Sequence, residues 1–402
     1  MIDYLITAEV QQFIKEHRND DPAALMLSAQ AKHWPYFDKV VEQIWSRQKA
    51  KGKLDHWLGK EGIVFPPPIS VEQASSDLTG KKKASLVNGG EQMIDLTGGF
   101  GIDTYYLSQK FEHSTYVEQS EELCQCAKHN FKVLGRPIDI INAEAERVLN
   151  DLSPADLIYV DPARRDGQAR KVFKLSDCLP DVAALQHHLL TKAKQVLIKL
   201  SPLLDIKSVL SDLEHVKKVF AIAVKNEVKE LLILMEADFE GDEQVHCVNL
   251  GQHGEDEFSF HFSEEAALNL PFAEIKRYLY EPNAAIMKAG GFKSVGERFQ
   301  LFKLHANTHL YTSSELKPDF PGRIFDVLQP LPFEKKKLKK IFPDMQANIT
   351  VRNFPMSVAA LRKKTQIKEG GEHYILACTG QEGKLLLLTK KIKQNSHGEW
   401  GG

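Results

Sequence analysis

The chain has 402 residues, 43% of them hydrophobic and 26% charged, with a formal net charge of −2 at pH 7, which excludes a disordered or collagen-like polymer and is long enough for more than one core. Five scattered cysteines (Cys124, Cys126, Cys178, Cys247, Cys378) with no paired CxxC predict a reduced, cytoplasmic setting and no zinc site. The N-terminal stretch MIDYLITAEVQQFIKEH carries acids where a signal peptide needs positive charge, and no run of about 18 apolar residues occurs, so neither export nor membrane insertion is expected.

Residues 1–65 place apolar side chains at helical spacing, as in Val10, Phe13, Ile14 and Val40, Val41, Ile44, Trp45. The FPPPIS stretch at 65–70 is expected to stop that helical segment, because successive prolines remove backbone donors. We take 1–88 as the helical N-terminal segment and linker. From residue 93 the pattern becomes short apolar runs separated by helical stretches: MIDL, STYVEQ, IDIIN, DLIYVD and QVLIKL. That alternation predicts an α/β fold with a parallel sheet covered by helices. VFAIAVKNEVKELLILME at 219–236 adds an antiparallel hairpin. The sheet and its hairpin occupy 90–238, within a domain drawn over 89–271. FSFHFS (258–263), the FQLFKLHAN region and YILACTGQEGKLLLLTKK are expected in smaller α+β units beyond the sheet.

The stretch IDLTGGFGID at 94–103 sets a glycine-rich turn between two acids, directly after the first strand. In a doubly wound sheet this turn is the usual ligand contact. A dinucleotide fingerprint GxGxxG requires glycines at 99, 101 and 104, and position 104 is Thr, so a nicotinamide or flavin cofactor is disfavoured. Asp95 ends the first strand, TxGxG follows through Thr97, Gly99 and Gly101, and Glu118 ends the next strand. This order resembles class I S-adenosylmethionine methyltransferases, a Rossmann-like sheet, parallel with an antiparallel terminal hairpin. A carboxylate such as Asp95 suits the cofactor's ammonium, and Glu118 suits its ribose diol. Glu144 in INAEAE follows the third strand, at the adenine edge in that fold, and Asp103 closes the turn. S-adenosyl-L-methionine is thus the predicted cofactor, held by Asp95, Thr97, Gly99, Gly101, Asp103, Glu118, Glu144 and Asp161.

The fourth strand runs into DPAR at 161–164, where methyltransferases acting on base nitrogens carry (D/N)PP(Y/W), and no aromatic is present to stack on a base. DPAR also resembles the motif of RNA uridine C5-methyltransferases. Those attack with a cysteine after the next strand, whereas VLIKLSPLLD at 196–205 offers Lys199 and Ser201. What remains is methyl transfer by positioning. The predicted catalytic residues are Asp161 as proton acceptor, Arg164 (with Arg165) as substrate-orienting cation, and Lys199 as the alternative. Salt bridging of these arginines to Asp166 or Asp177 is the competing reading.

VEQASSDLTGKKKASLV (71–87), DLTGGFGIDT (95–104), YVDPARRD (159–166), IKLSPLLDI (198–206), YLYEPNAAIMKAG (278–290) and NTHLYTS (307–313) together resemble a bacterial group of class I methyltransferases with a C-terminal THUMP-like domain. The resemblance implies a small ferredoxin-like domain over 272–325 and a THUMP-like domain over 326–402. It also implies RNA, either tRNA or rRNA, as the substrate, with no DNA. Charge agrees: residues 331–402 carry 14 Lys or Arg against 6 Asp or Glu, a balance of +8, leaving −10 on residues 1–330. A basic module on an acidic body fits a polyanionic partner, although a lysine run such as EKKKLKK at 334–340 also serves as a solvated face. EQASS at 72–76 reads either as a lid on the cofactor or as a linker. A cofactor-binding RNA assembly factor whose catalysis has lapsed, and a methyltransferase acting on small molecules or proteins, are the alternatives.

Overall fold

The computed structural model describes residues 1–28, 34–164, 174–251, 254–394 and 400–401. The chain divides into two compact units, Met1–Lys217 with Leu232–Glu240, and Lys218–Leu231 with Gly241–Gly402. The first sheet contains β1 (Gly90–Asp95), β2 (Phe111–Glu118), β3 (Asp139–Asn142), β4 (Ala155–Val160), β5 (Ala193–Leu200), β6 (Val216–Val224), β7 (Glu227–Glu236), β8 (Gln244–Leu250) and β9 (Glu255–His261), in the order β9-β8-β6-β7-β5-β4-β1-β2-β3. β1 pairs in parallel with β2 and β4, β2 with β3, and β4 with β5. Strands this deep are covered on both faces, which is why β4 and β5 read as near-continuous apolar runs. The β6–β7 turn is two residues long, Lys225 and Asn226, both left-handed. The parallel sheet closing on a hairpin is thus the one expected from the sequence.

Two expectations are corrected. FPPPIS does not end the helical segment: Pro68 occupies the first turn of a helix, Pro68–Gln73, where a missing N–H is no loss. A further helix, Asp77–Leu86, follows behind a Ser76/Thr79 capping box. FSFHF does not lie beyond the first sheet. It lies in β9, antiparallel to β8, and so forms the edge of the first sheet. Alternation in one strand does not say which sheet it joins.

Within the first unit the N-terminal helices share one core with the glycine-loop region. Trp57 and Phe65 pack on Phe100 at 5.1 and 5.5 Å between ring centroids, and Val40, Ile44, Tyr116 and Phe131 belong to the same cluster.

Residues of the second unit also build a seven-stranded sheet from β10 (Tyr278–Pro282), β11 (Phe302–Lys303), β12 (Tyr311–Ser313), β13 (Gly322–Pro330), β14 (Asn348–Arg352), β15 (His373–Gly380) and β16 (Gly383–Lys391), in the order β11-β12-β10-β13-β16-β15-β14. Buried Glu281 of β10 ties this sheet together by pairing with Arg323 and, at 2.6 Å, with Arg352. The helices Lys335–Ile341 and Val358–Thr365 pack Leu338 and Leu361 inward beneath the same sheet's apolar residues. No helix among the described residues is long and apolar enough to cross a membrane.

Candidate functional site: a cleft beyond the carboxyl ends of the strands

Parallel strands point their carboxyl ends to one edge of the sheet, and the loops there surround an open cleft of about 530 Å³ in the first unit. All eight predicted cofactor positions border it: Asp95, Thr97, Gly99, Gly101, Asp103, Glu118, Glu144 and Asp161.

The glycine turn divides its labour. A Cβ at Gly98 would lie 2.0 Å from the Tyr116 ring, and one at Gly101, left-handed at φ 88°, would meet Phe131 at 2.7 Å. Those two glycines therefore serve the core behind the loop. At Gly99 the nearest atom to such a Cβ is 3.9 Å away in the loop's own Thr97, so this is the position that leaves open space for a ligand. Gly99 N donates to Glu118 Oε2 at 3.0 Å and Ser120 N to Oε1 at 2.8 Å, orienting the Glu118 carboxylate while each oxygen keeps a further lone pair. Thr97, where many class I enzymes have glycine, accepts from Asp161 N through Oγ1 at 2.6 Å and so ties the first loop to the end of β4.

Asp95 and Asp103 face the cleft in opposite electrostatic conditions. Asp95 is 1% exposed and accepts from Thr104 Oγ1 at 2.6 Å and Thr97 N at 2.9 Å. Burial pushes its carboxyl up to about 7 against those hydrogen bonds, with the charges of Asp103 and Asp161 adding to the rise. Burial also opposes ionisation at Asp103. There, however, the charges of Lys83 and Lys199 and hydrogen bonds from Ser75 (2.6 Å) and Tyr159 (2.7 Å) prevail, holding it below the usual carboxylate range. Lys83 and Tyr159 escaped the sequence reading, and Ser75 entered it only as part of EQASS. The detectable signal was helical spacing: Gly80, Lys83 and Ala84 form the buried face of Asp77–Leu86, one lysine of three turned inward.

Of the predicted catalytic residues, Asp161 and Lys199 come together as an ion pair, because β4 and β5 are in register with Val160 opposite Ile198. Arg164 has its backbone paired with Cys178 in a two-residue ribbon; its side chain, and Arg165 and Asp166 entirely, lie outside the described residues. Glu144 borders the cleft but sits half-exposed with Arg147 at 2.8 Å. EQASS supplies the end of Pro68–Gln73 and the start of the next helix, and Gln73, Ala74 and Ser75 form one wall of the cleft.

The cleft fits S-adenosylmethionine: it has the volume, an open backbone at Gly99, carboxylates for a cationic tail and an oriented acceptor in Glu118. Comparison with known proteins points the same way. A ferredoxin-like domain family matches residues 278–321 and a THUMP domain-like family matches 322–391. Uncharacterized S-adenosylmethionine-dependent methyltransferases from two strains of Mycobacterium tuberculosis, CDC 1551 and H37Rv, are each 22% identical over 335 residues, 82% of this chain and 89% of theirs. A crystal structure from Porphyromonas gingivalis W83, described as a methyltransferase, superposes with a TM-score of 0.87 at 35% identity, covering 95% of this chain and 97% of that one. The chain is therefore a member of the bacterial S-adenosylmethionine-dependent methyltransferases that carry a C-terminal THUMP-like domain.

Proposed function

We propose that this enzyme methylates RNA, tRNA or rRNA, captured by its THUMP-like region. The carrying observation is the exposed basic face of the helices Lys335–Ile341 and Val358–Thr365, where Lys335, Lys336, Lys337, Lys339 and Lys340, and Lys363 and Lys364, point outward. Arg362, grouped with them by sequence, donates instead to the carbonyls of Ala347 and Ile367 and so serves the fold. Phosphate contacts release condensed counterions, which makes affinity steeply salt-dependent and insensitive to sequence.

S-adenosylmethionine, when bound, supplies a methyl group activated by its sulfonium. Around it, Glu118 would hold the ribose diol and Glu144 the adenine edge, and Asp161 would take up the proton that the acceptor atom gives up. Lys199 holds Asp161 in place, and Arg164 orients the substrate. The division 1–88, 89–271, 272–325 and 326–402 belongs to this reading, as does a cytoplasmic location, supported by five cysteines that form no disulfide.

The decisive experiment incubates the protein and radiolabelled S-adenosylmethionine with RNA from a strain lacking the gene, and maps modified nucleosides by mass spectrometry. Label entering a single nucleoside supports the proposal; label entering only protein or small metabolites refutes it. Neutralising the exposed lysines should flatten the log–log salt dependence by about 0.7 per lost contact on single strands.

A further inference from the structure

The helix Asp77–Leu86 is locked against the helix Ile102–Ser108. Tyr106 Oη donates to Asp77 Oδ1 at 2.7 Å, and a Cβ at Gly80 would lie 2.4 Å from the Tyr106 ring. One turn beyond this crossing, the fully buried Lys83 ammonium reaches the wall of the cleft. Its Nζ lies 3.2 Å from Asp103 Oδ1 and donates to Ser75 Oγ at 3.1 Å. Asp103 Oδ2 takes hydrogen bonds from Ser75 and Tyr159, while Oδ1 accepts none among the described residues and retains lone pairs beside its ion-pair partner. Asp95, the carboxylate first expected to meet the cofactor's ammonium, is pushed by burial toward its protonated form, whereas Asp103 is held ionised.

We propose that Lys83 is a positioning residue of the cofactor site: through its ion pair it fixes the Asp103 carboxylate to receive the ammonium group of S-adenosylmethionine. The proposal rests on the reading that this cleft holds the cofactor. It also gives the N-terminal segment a function, since that segment supplies Lys83 and Ser75. A buried ammonium is costly unless paired, and here its partner is a carboxylate facing a ligand cleft. Asp103 would stand between the protein's cations, Lys83 and Lys199, and the ligand's ammonium, an arrangement that opposes its protonation.

The test measures calorimetric affinity of the full-length protein for two probes, S-adenosylmethionine and 5′-methylthioadenosine, a neutral thioether that keeps the nucleoside but lacks both the amino-acid tail and the sulfonium charge. Lys83→Met should weaken S-adenosylmethionine roughly tenfold at pH 7 and steepen its dependence on pH as Asp103 begins to titrate, leaving methylthioadenosine unchanged. Asp103→Asn, which keeps the shape of the wall, should weaken S-adenosylmethionine roughly ten- to hundredfold with the same selectivity, and it carries the test if Lys83→Met does not fold. Equal losses for both probes would reduce Lys83 to a scaffold residue and overturn the proposal, as would unchanged S-adenosylmethionine binding in both variants. Failure of the unaltered protein to bind either probe would instead overturn the assignment of the cleft, and the proposal with it.

Discussion

Asp95 makes S-adenosylmethionine binding depend on pH in a way that can be worked out in advance. Burial holds its carboxyl at about 7 without ligand, and the net positive charge of the incoming cofactor, sulfonium and ammonium against one carboxylate, pulls it down. Binding therefore releases a proton wherever Asp95 starts protonated, and affinity rises with pH until Asp95 is ionised in the free protein. Each unit below that midpoint costs about 1.4 kcal/mol, so affinity at pH 6 should be roughly tenfold weaker than at pH 8. Near pH 7 about half a proton should be released per cofactor bound. Calorimetry in buffers of different ionisation enthalpy reads both quantities, and Asp95→Asn should flatten the profile. A flat profile from pH 6 to 8 in the unaltered protein, with no proton release, would refute the reasoning. Stability carries the opposite sign: the folded protein keeps a proton that the unfolded chain has lost, so this group's contribution falls as pH rises between about 4 and 7.

Gly98→Ala should destabilise the first unit by about 1–3 kcal/mol, since its Cβ is driven into the buried Tyr116 ring, and thermal melting reads the loss. Asp161→Asn should leave cofactor affinity near that of the unaltered protein while single-turnover methyl transfer drops about two to four powers of ten; full activity would remove Asp161 as proton acceptor. Glu281→Gln removes the charge shared by Arg323 and Arg352, which are partly exposed and so keep access to water; a loss of about 1–3 kcal/mol is expected, visible in denaturant unfolding.

The sequence by itself determined the ordered constellation of the cleft. Asp95, Thr97, Gly99, Glu118 and Asp161 each lie at or just after the end of an apolar run. In a parallel sheet the strand ends converge on one edge, so linear order translates directly into a site. The same logic brought Lys199 beside Asp161, one register step beyond paired strand residues. Tertiary structure alone decided the rest. KKK at 81–83 reads as three equivalent charges until Gly80 docks on Tyr106 and turns only Lys83 inward. The glycines looked alike until Tyr116 and Phe131 claimed Gly98 and Gly101 for the core and left Gly99 open. β9 alternated as an edge strand should, yet its partner lay in hydrogen bonds that no local pattern encodes. Side-chain direction on a helix and strand partnership in a sheet depend on what packs against them. A local pattern can therefore identify an element without saying which neighbour completes it.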